Sequence, residues 1–258
     1  MNERNLFKID DSDIENKLHF YYEDDKITKA LNKVYSTLFE SKVPNILHYL
    51  DLNGNILLYG KTGMGKTSTA YNFMRSHKSC TKYHFNANTL ISEKLGKTPE
   101  RAVEFFETLQ SECKEFPTIG LLEEVDTIFL KREDSNELAD MKRFLAVFLK
   151  YLDVNIDNLI LICTTNHIDN IDPAILRRFC FKFEIKQNEQ ILRTFLTSTE
   201  SPFYTNFQDD TQVNNLVQIL LKKNTSFSEI KYFMRELYLN DKEITPENLK
   251  DLIDHKGD

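Results

Sequence analysis

The most constraining feature of this 258-residue chain is one octapeptide, Gly60-Lys61-Thr62-Gly63-Met64-Gly65-Lys66-Thr67. It fills the pattern G-x-x-x-x-G-K-[ST] between a short apolar run, Ile56–Tyr59, and a helical segment from Lys66 to Ser76. A loop in that setting turns successive backbone N–H groups toward a phosphate, and the following helix aims its positive end at the same oxygens. On that chemistry Gly60, Thr62, Gly63, Met64, Gly65, Lys66, Thr67 and Ser68 are the candidate phosphate-binding residues. The Lys66 ammonium would reach the β and γ phosphates, and the Thr67 hydroxyl would join a Mg2+ ion. A glycine turn without a ligand is the competing reading. The chain has only seven glycines, however, and Gly54, Gly60, Gly63 and Gly65 crowd this one window.

Around the loop, short apolar runs alternate with helical ones, the pattern of parallel α/β layering. Strands are predicted at Ile56–Tyr59, Lys82–Phe85, Thr118–Leu122, Leu159–Thr164 and Cys180–Ile185, and several are apolar on both faces, as in sheets covered by helices on both sides. Helices are predicted at Lys66–Ser76, Asn88–Leu95, Pro99–Cys113, Glu137–Leu152 and Pro173–Arg178. After Asn188 the strand-like runs stop. Leu192–Leu196, Val213–Leu221, Ser228–Leu237 and Pro246–Asp254 read as a small all-helical appendage, each helix too short to stand alone. The expected organisation is an acidic arm and helix at 1–43, an α/β domain at 44–187 and a helical lid at 188–258. Met1 to Asp25 is rich in acids and without a clear period, which predicts a solvated arm.

The run Ile119-Gly120-Leu121-Leu122-Glu123-Glu124-Val125-Asp126 ends in adjacent carboxylates. Beside a phosphate loop, such a strand delivers one acid to the Mg2+ shell, here Glu123, and a second to orient water on the γ-phosphate, here Glu124. A strand leaving into solvent through its acids is the alternative.

With these motifs the sequence resembles an AAA+ ATPase from about Pro44 to Leu237. Leu159 to Asn166 (LILICTTN) resembles the fourth strand ending in a sensor 1 asparagine, Asn166; Asp172 to Phe179 (DPAILRRF) resembles the second region of homology. The paired Arg177 and Arg178 match the arginine-finger segment of microtubule-severing and related AAA proteins, with the choice between the two left open. Ser226 to Leu237 is similar to the lid segment carrying sensor 2 and assigns Lys231 to the γ-phosphate. The resemblance implies a three-layer P-loop NTPase with a parallel five-stranded sheet in the order 5-1-4-3-2 and a C-terminal helical lid. It further implies ATP and Mg2+ as cofactors, catalytic roles for Glu124, Asn166, Arg177 and Arg178, and Thr67 and Glu123 at the metal. The implied assembly is a homo-oligomer, a hexameric ring or a helical array.

Two positions depart from the family pattern. Glu123 stands where the family has aspartate, and Lys94, in a segment similar to the substrate-gripping pore loop, stands where threading relatives carry an aromatic. The first predicts slow or partner-activated hydrolysis, because Mg2+ tolerates poor octahedral geometry badly. The second weighs against ordinary peptide threading. The short arm predicts that a separate protein partner selects the substrate. The functional expectation is an Mg2+-dependent ATPase that rearranges a protein partner, with an ATP-gated assembly scaffold as the first alternative. A nucleic-acid remodeller is a second. Basic residues Lys131, Arg132, Lys142, Arg143 and Lys150 favour it, but a net charge of −7 argues against it. Four widely spaced cysteines form no C-x-x-C pair, no run approaches a membrane span, and the acidic start is unlike a targeting segment. A soluble, cytoplasmic protein with reduced thiols is expected.

Overall fold

A computed structural model describes residues 7–18, 24–40, 49–87, 98–127, 138–154 and 156–255; side chains at 98–102, 127 and 138–144 are not among those described. The described residues form two units. The larger runs to Glu184, and the smaller comprises Ile185 onward together with Asp24 and Lys61–Gly65.

The larger unit is built on five strands, β1 (Asn55–Tyr59), β2 (Thr81–Asn86), β3 (Thr118–Glu123), β4 (Leu159–Thr165) and β5 (Phe181–Glu184). All four pairings are parallel and the spatial order is β2-β3-β4-β1-β5, the order that the family resemblance implies and that periodicity cannot give. The central strands are buried along almost their whole length, whereas β5 alternates half-buried and exposed positions as an edge strand does. Helices flank the sheet: α1 (Asp11–Lys17), α2 (Asp25–Tyr35), α3 (Lys66–Ser76), α4 (Thr98–Glu112), α5 (Leu138–Asp153) and α6 (Pro173–Leu176). Phe105, Phe106, Leu109 and Phe148 pack with Leu122, Leu161 and Cys163 in the main core. The predicted helix Asn88–Leu95, the pore-loop residue Lys94, and Lys131 and Arg132 lie outside the described residues. The side chains of Lys142 and Arg143 do so as well.

Residues 7–18 of the acidic arm are anchored to the sheet rather than wholly solvated as their composition predicts. Phe7 and Ile14 are buried, and Phe7 meets Phe85 and Phe105 edge-on at centroid distances of 5.0 and 5.6 Å. Ile9 N donates to Lys82 O at 3.0 Å and His84 N donates to Phe7 O at 2.8 Å, so the arm adds an antiparallel bridge to the β2 edge. The acids have local duties. Asp10 and Asp13 form a reciprocal capping box on α1, and Asp11 pairs with the buried Lys82 ammonium. Covering β2 in this way removes an open row of backbone donors and acceptors from the sheet edge.

The smaller unit carries α7 (Glu189–Leu196), α8 (Asp210–Lys222), α9 (Phe227–Leu239) and α10 (Pro246–His255). Asn188, Asp209 and Ser226 cap the first three of these through side-chain oxygens. Leu192, Leu216, Leu220, Ile230, Leu249 and Ile253 make a common core, so helices too short to persist alone stabilise one another. Cys80, Cys113 and Cys163 are buried free thiols and Cys180 is an exposed one. Among the described residues no helix is long and apolar enough to cross a membrane.

If the arm is part of the core, Phe7→Ala should lower the free energy of unfolding in urea by about 3 kcal/mol, the usual range for deleting a buried phenyl group. A solvated arm would give a change within about 0.5 kcal/mol.

Candidate active site

The loop Gly60–Gly65 leaves the end of β1, the interior position where side chains from β3 and β4 also emerge, because β4 lies beside both. Its shape needs residues without a Cβ: Gly63 and Gly65 have φ of +78° and +98°. A Cβ on Gly65 would meet nothing within 4 Å, so the loop faces open space there. A Cβ on Gly63 would stand 2.6 Å from Ser228 Oγ. That close approach comes from the first turn of α9, where Lys61 Nζ also pairs with Glu229 at 2.8 Å. Thr62 is exposed, Met64 is buried, and Ser68 is half-buried in the first turn of α3.

Lys66 opens α3 with only 7 % of its surface exposed, and its Nζ donates to Gly60 O at 2.8 Å. Burial brings the ammonium down to about 8; the fields of Asp126 and Glu124 oppose that fall without cancelling it. This is a cation prepared to gain from an incoming anion.

Glu123 ends β3. Its carboxylate accepts from the Thr67 hydroxyl and lies 2.5 Å from His84 Nε2. Burial pushes this carboxyl up, but the hydrogen bonds from His84 and Thr67, with the charge of Lys17, hold it below the usual range. Among the described residues no three or more His, Cys, Asp or Glu are grouped to enclose a metal by themselves. One carboxylate and one hydroxyl suit Mg2+, which keeps waters and takes its remaining ligands from phosphate oxygens. The Thr67 and Glu123 donor set therefore fits a phosphate-bound Mg2+.

Glu124 has φ of +60°, a left-handed conformation that costs a non-glycine residue about 1–2 kcal/mol. Its N–H donates to Thr164 Oγ1 at 3.2 Å, which fixes the turn against β4. Strain of this kind persists where surrounding contacts over-determine it. Asn166 follows β4 and its N–H donates to Asp126 Oδ1 at 3.2 Å. Glu124, Asp126 and Asn166 thus share one end of the sheet with Lys66.

The two arginines after α6 differ. Arg178 grips Asp153 through Nε at 2.7 Å and Nη2 at 3.1 Å and donates to Ala174 O, whereas Arg177 is exposed and donates Nε to Pro173 O at 3.3 Å. Lys231 stands 6.0 Å above the Phe195 ring; burial and the neighbouring Arg235 lower its proton affinity. His84, Asp126 and Thr164 are the residues at this site that sequence reasoning overlooked. Asp126 had a signal in the acid run that ends β3. His84 had none, for its contact with Glu123 exists only through the register of β2 on β3.

The sign of the Lys66 shift makes a prediction. Its folded value lies below the ordinary 10.5, so the cost of keeping it charged is fully present below pH 8 and fades between about pH 8 and 10.5. Lys66→Met should therefore raise the melting temperature of the ligand-free protein at pH 7, with the gain shrinking as pH rises past 9. Differential scanning calorimetry across that range checks it; a destabilised variant at pH 7 would contradict it.

Comparison with known proteins agrees with this geometry. The family model described as ATPase family associated with various cellular activities (AAA) matches residues 56–187, just over half of the chain. The 26S proteasome regulatory subunit 6B homolog of Encephalitozoon cuniculi is 32 % identical over 133 residues, covering 50 % of this chain and 33 % of that protein. The mitochondrial sorting homolog of Caenorhabditis elegans is 30 % identical over 156 residues, covering 58 % and 44 %. Protein CdcH of Halobacterium salinarum is 25 % identical over 233 residues, covering 84 % and 31 %. The chain thus spans less than half the length of each of these relatives. A chain of the solved E. coli MS115-1 HORMA:CdnC:Trip13 complex shares the fold, with a TM-score of 0.72 at 16 % identity over 96 % of this chain and 93 % of that one. The chain belongs to the AAA ATPase family and carries that family's nucleotide-binding α/β fold.

Proposed function

We propose that this protein is an Mg2+-dependent ATPase that assembles into a homo-oligomer and couples ATP binding and hydrolysis to rearranging a protein partner. The observation that carries the reading is the meeting of a desolvated Lys66 and the Thr67–Glu123 pair with Glu124 and Asn166 at one end of the sheet. In this reading the loop N–H groups and Lys66 bind the β and γ phosphates, while Thr67 and Glu123 hold Mg2+. That ion would neutralise charge between the phosphates. Glu124 orients the attacking water and Asn166 keeps it on the γ-phosphate. Arg177 is the choice for the charge supplied to a neighbouring subunit, because Arg178 is already engaged by Asp153 within its own chain. Relatives named as 26S proteasome regulatory subunits support a protein rather than a nucleic acid as the object of the work.

An ATP-gated scaffold is favoured by one observation, the glutamate at position 123. A longer side chain must be fixed through one more torsion before it can meet Mg2+ geometry. In that reading nucleotide sets the assembly state and hydrolysis only resets it.

Two variants test the proposal. Glu124→Gln should keep ATP affinity within about threefold and lower turnover by about 100-fold or more, the usual effect of losing a positioned base. Arg177→Ala should also be inactive, yet an equal mixture of the two should hydrolyse ATP, since each supplies what the other lacks across a subunit boundary. A mixture that stays inactive would contradict catalysis in trans, and normal turnover by Glu124→Gln would move the water-orienting role elsewhere.

A further inference from the structure

We propose that His84, braced by Lys17 of α1, is a positioning residue that holds the Glu123 carboxylate against Thr67 in the arrangement that receives Mg2+, so that the N-terminal arm completes the metal-binding half of the site. This rests on the assignment of Thr67 and Glu123 to Mg2+.

The register places the two side chains together. β2 and β3 pair with Asn86 opposite Glu123 and His84 opposite Leu121. Side chains alternate between faces, so His84, two residues before Asn86, shares the face of Glu123 and stands diagonally across from it. His84 Nε2 is 2.5 Å from Glu123 Oε2, and both groups are largely enclosed, with 16 % and 12 % of their side chains exposed.

The arm decides which ring nitrogen carries the proton. Lys17 Nζ lies 3.3 Å from His84 Nδ1 and 3.2 Å from the Tyr71 hydroxyl, with the Tyr71 ring centroid 5.4 Å away. An ammonium has donors and no acceptor, so Nδ1 must present its lone pair to Lys17. The network therefore assigns the proton to Nε2, where it donates to Glu123. Such an arrangement orients a ligating carboxylate from outside the metal shell. The arm is tied to His84 through the main chain as well, for His84 N donates to Phe7 O at 2.8 Å.

The unusual glutamate then has a counterpart. Compared with aspartate it must freeze an additional torsion to present its oxygens at a fixed point. One carboxylate receives two donors, His84 from β2 and Thr67 from α3, and these hold that torsion before any metal arrives. An aspartate would end about one C–C bond short of His84, so the histidine is useful only to the longer side chain.

The test measures metal affinity directly. Mn2+, a paramagnetic stand-in for Mg2+, is titrated into the protein–ADP complex and free Mn2+ is followed by electron paramagnetic resonance, while ADP affinity is measured separately in EDTA. His84→Ala should weaken Mn2+ binding by about 10-fold, the scale expected for an outer-shell partner, with ADP affinity in EDTA within about twofold of wild type. His84→Gln, whose amide can still donate, should recover most of the loss. Lys17→Met, a surface change that leaves β2 intact, should weaken Mn2+ by about threefold. In a Glu123→Asp background, His84→Ala should add nothing. Unchanged Mn2+ affinity in both His84→Ala and Lys17→Met would overturn the inference, as would an equal loss of ADP binding in EDTA. Wild-type protein that binds no ADP would instead overturn the assignment of the nucleotide site itself.

Discussion

A buried ammonium beside a glycine loop is the constraint on which the rest of this structure depends. Lys66 has little contact with water, and holding its charge without a phosphate destabilises the fold. In the loop before it φ is positive at Gly63 and Gly65, and a Cβ on Gly65 would meet nothing within 4 Å. The fields of Asp126 and Glu124 offset part of the cost of burying that charge. The arrangement gives up stability in the ligand-free state in exchange for affinity when phosphates arrive.

The parallel sheet makes this possible. Three strands, β1, β3 and β4, end side by side, and each contributes one group at its carboxyl end: the phosphate loop, the acid pair and the Asn166 turn. Ladder hydrogen bonds, rather than side-chain packing alone, set the spacing of the three strand ends. The N-terminal arm joins the same scheme from the sheet edge. It covers β2, supplies a phenyl group to the core and places Lys17 beside His84, which contacts Glu123. One short segment thus connects edge protection to the chemistry of the site.

Features carried by local sequence were legible: the octapeptide, the acids ending β3, and the alternation of strands and helices. The strand order was accessible only through the family resemblance, because no period in the chain records which strand lies beside which. The arm was misread for a physical reason. Phe7, Ile9 and Ile14 are sparse among acids, yet those acids cap a helix and neutralise Lys82, so a segment that composition assigns to water is held in the core. The differing fates of Arg177 and Arg178 depend on Asp153, distant in sequence, and the left-handed turn at Glu124 depends on Thr164. His84 reaches Glu123 only through strand register, a relationship that single-sequence reading does not contain.

The central claim is that this geometry exists to bind a nucleotide polyphosphate, and ligand-dependent thermal stability addresses it without requiring turnover or a partner. Melting should be followed at pH 7 with rising ATP and excess Mg2+. The account predicts a melting temperature that climbs with the logarithm of ATP concentration, reaching about 2.7 kcal/mol of added stability at a hundred times the dissociation constant. A cooperative transition whose midpoint does not move with ATP would contradict it.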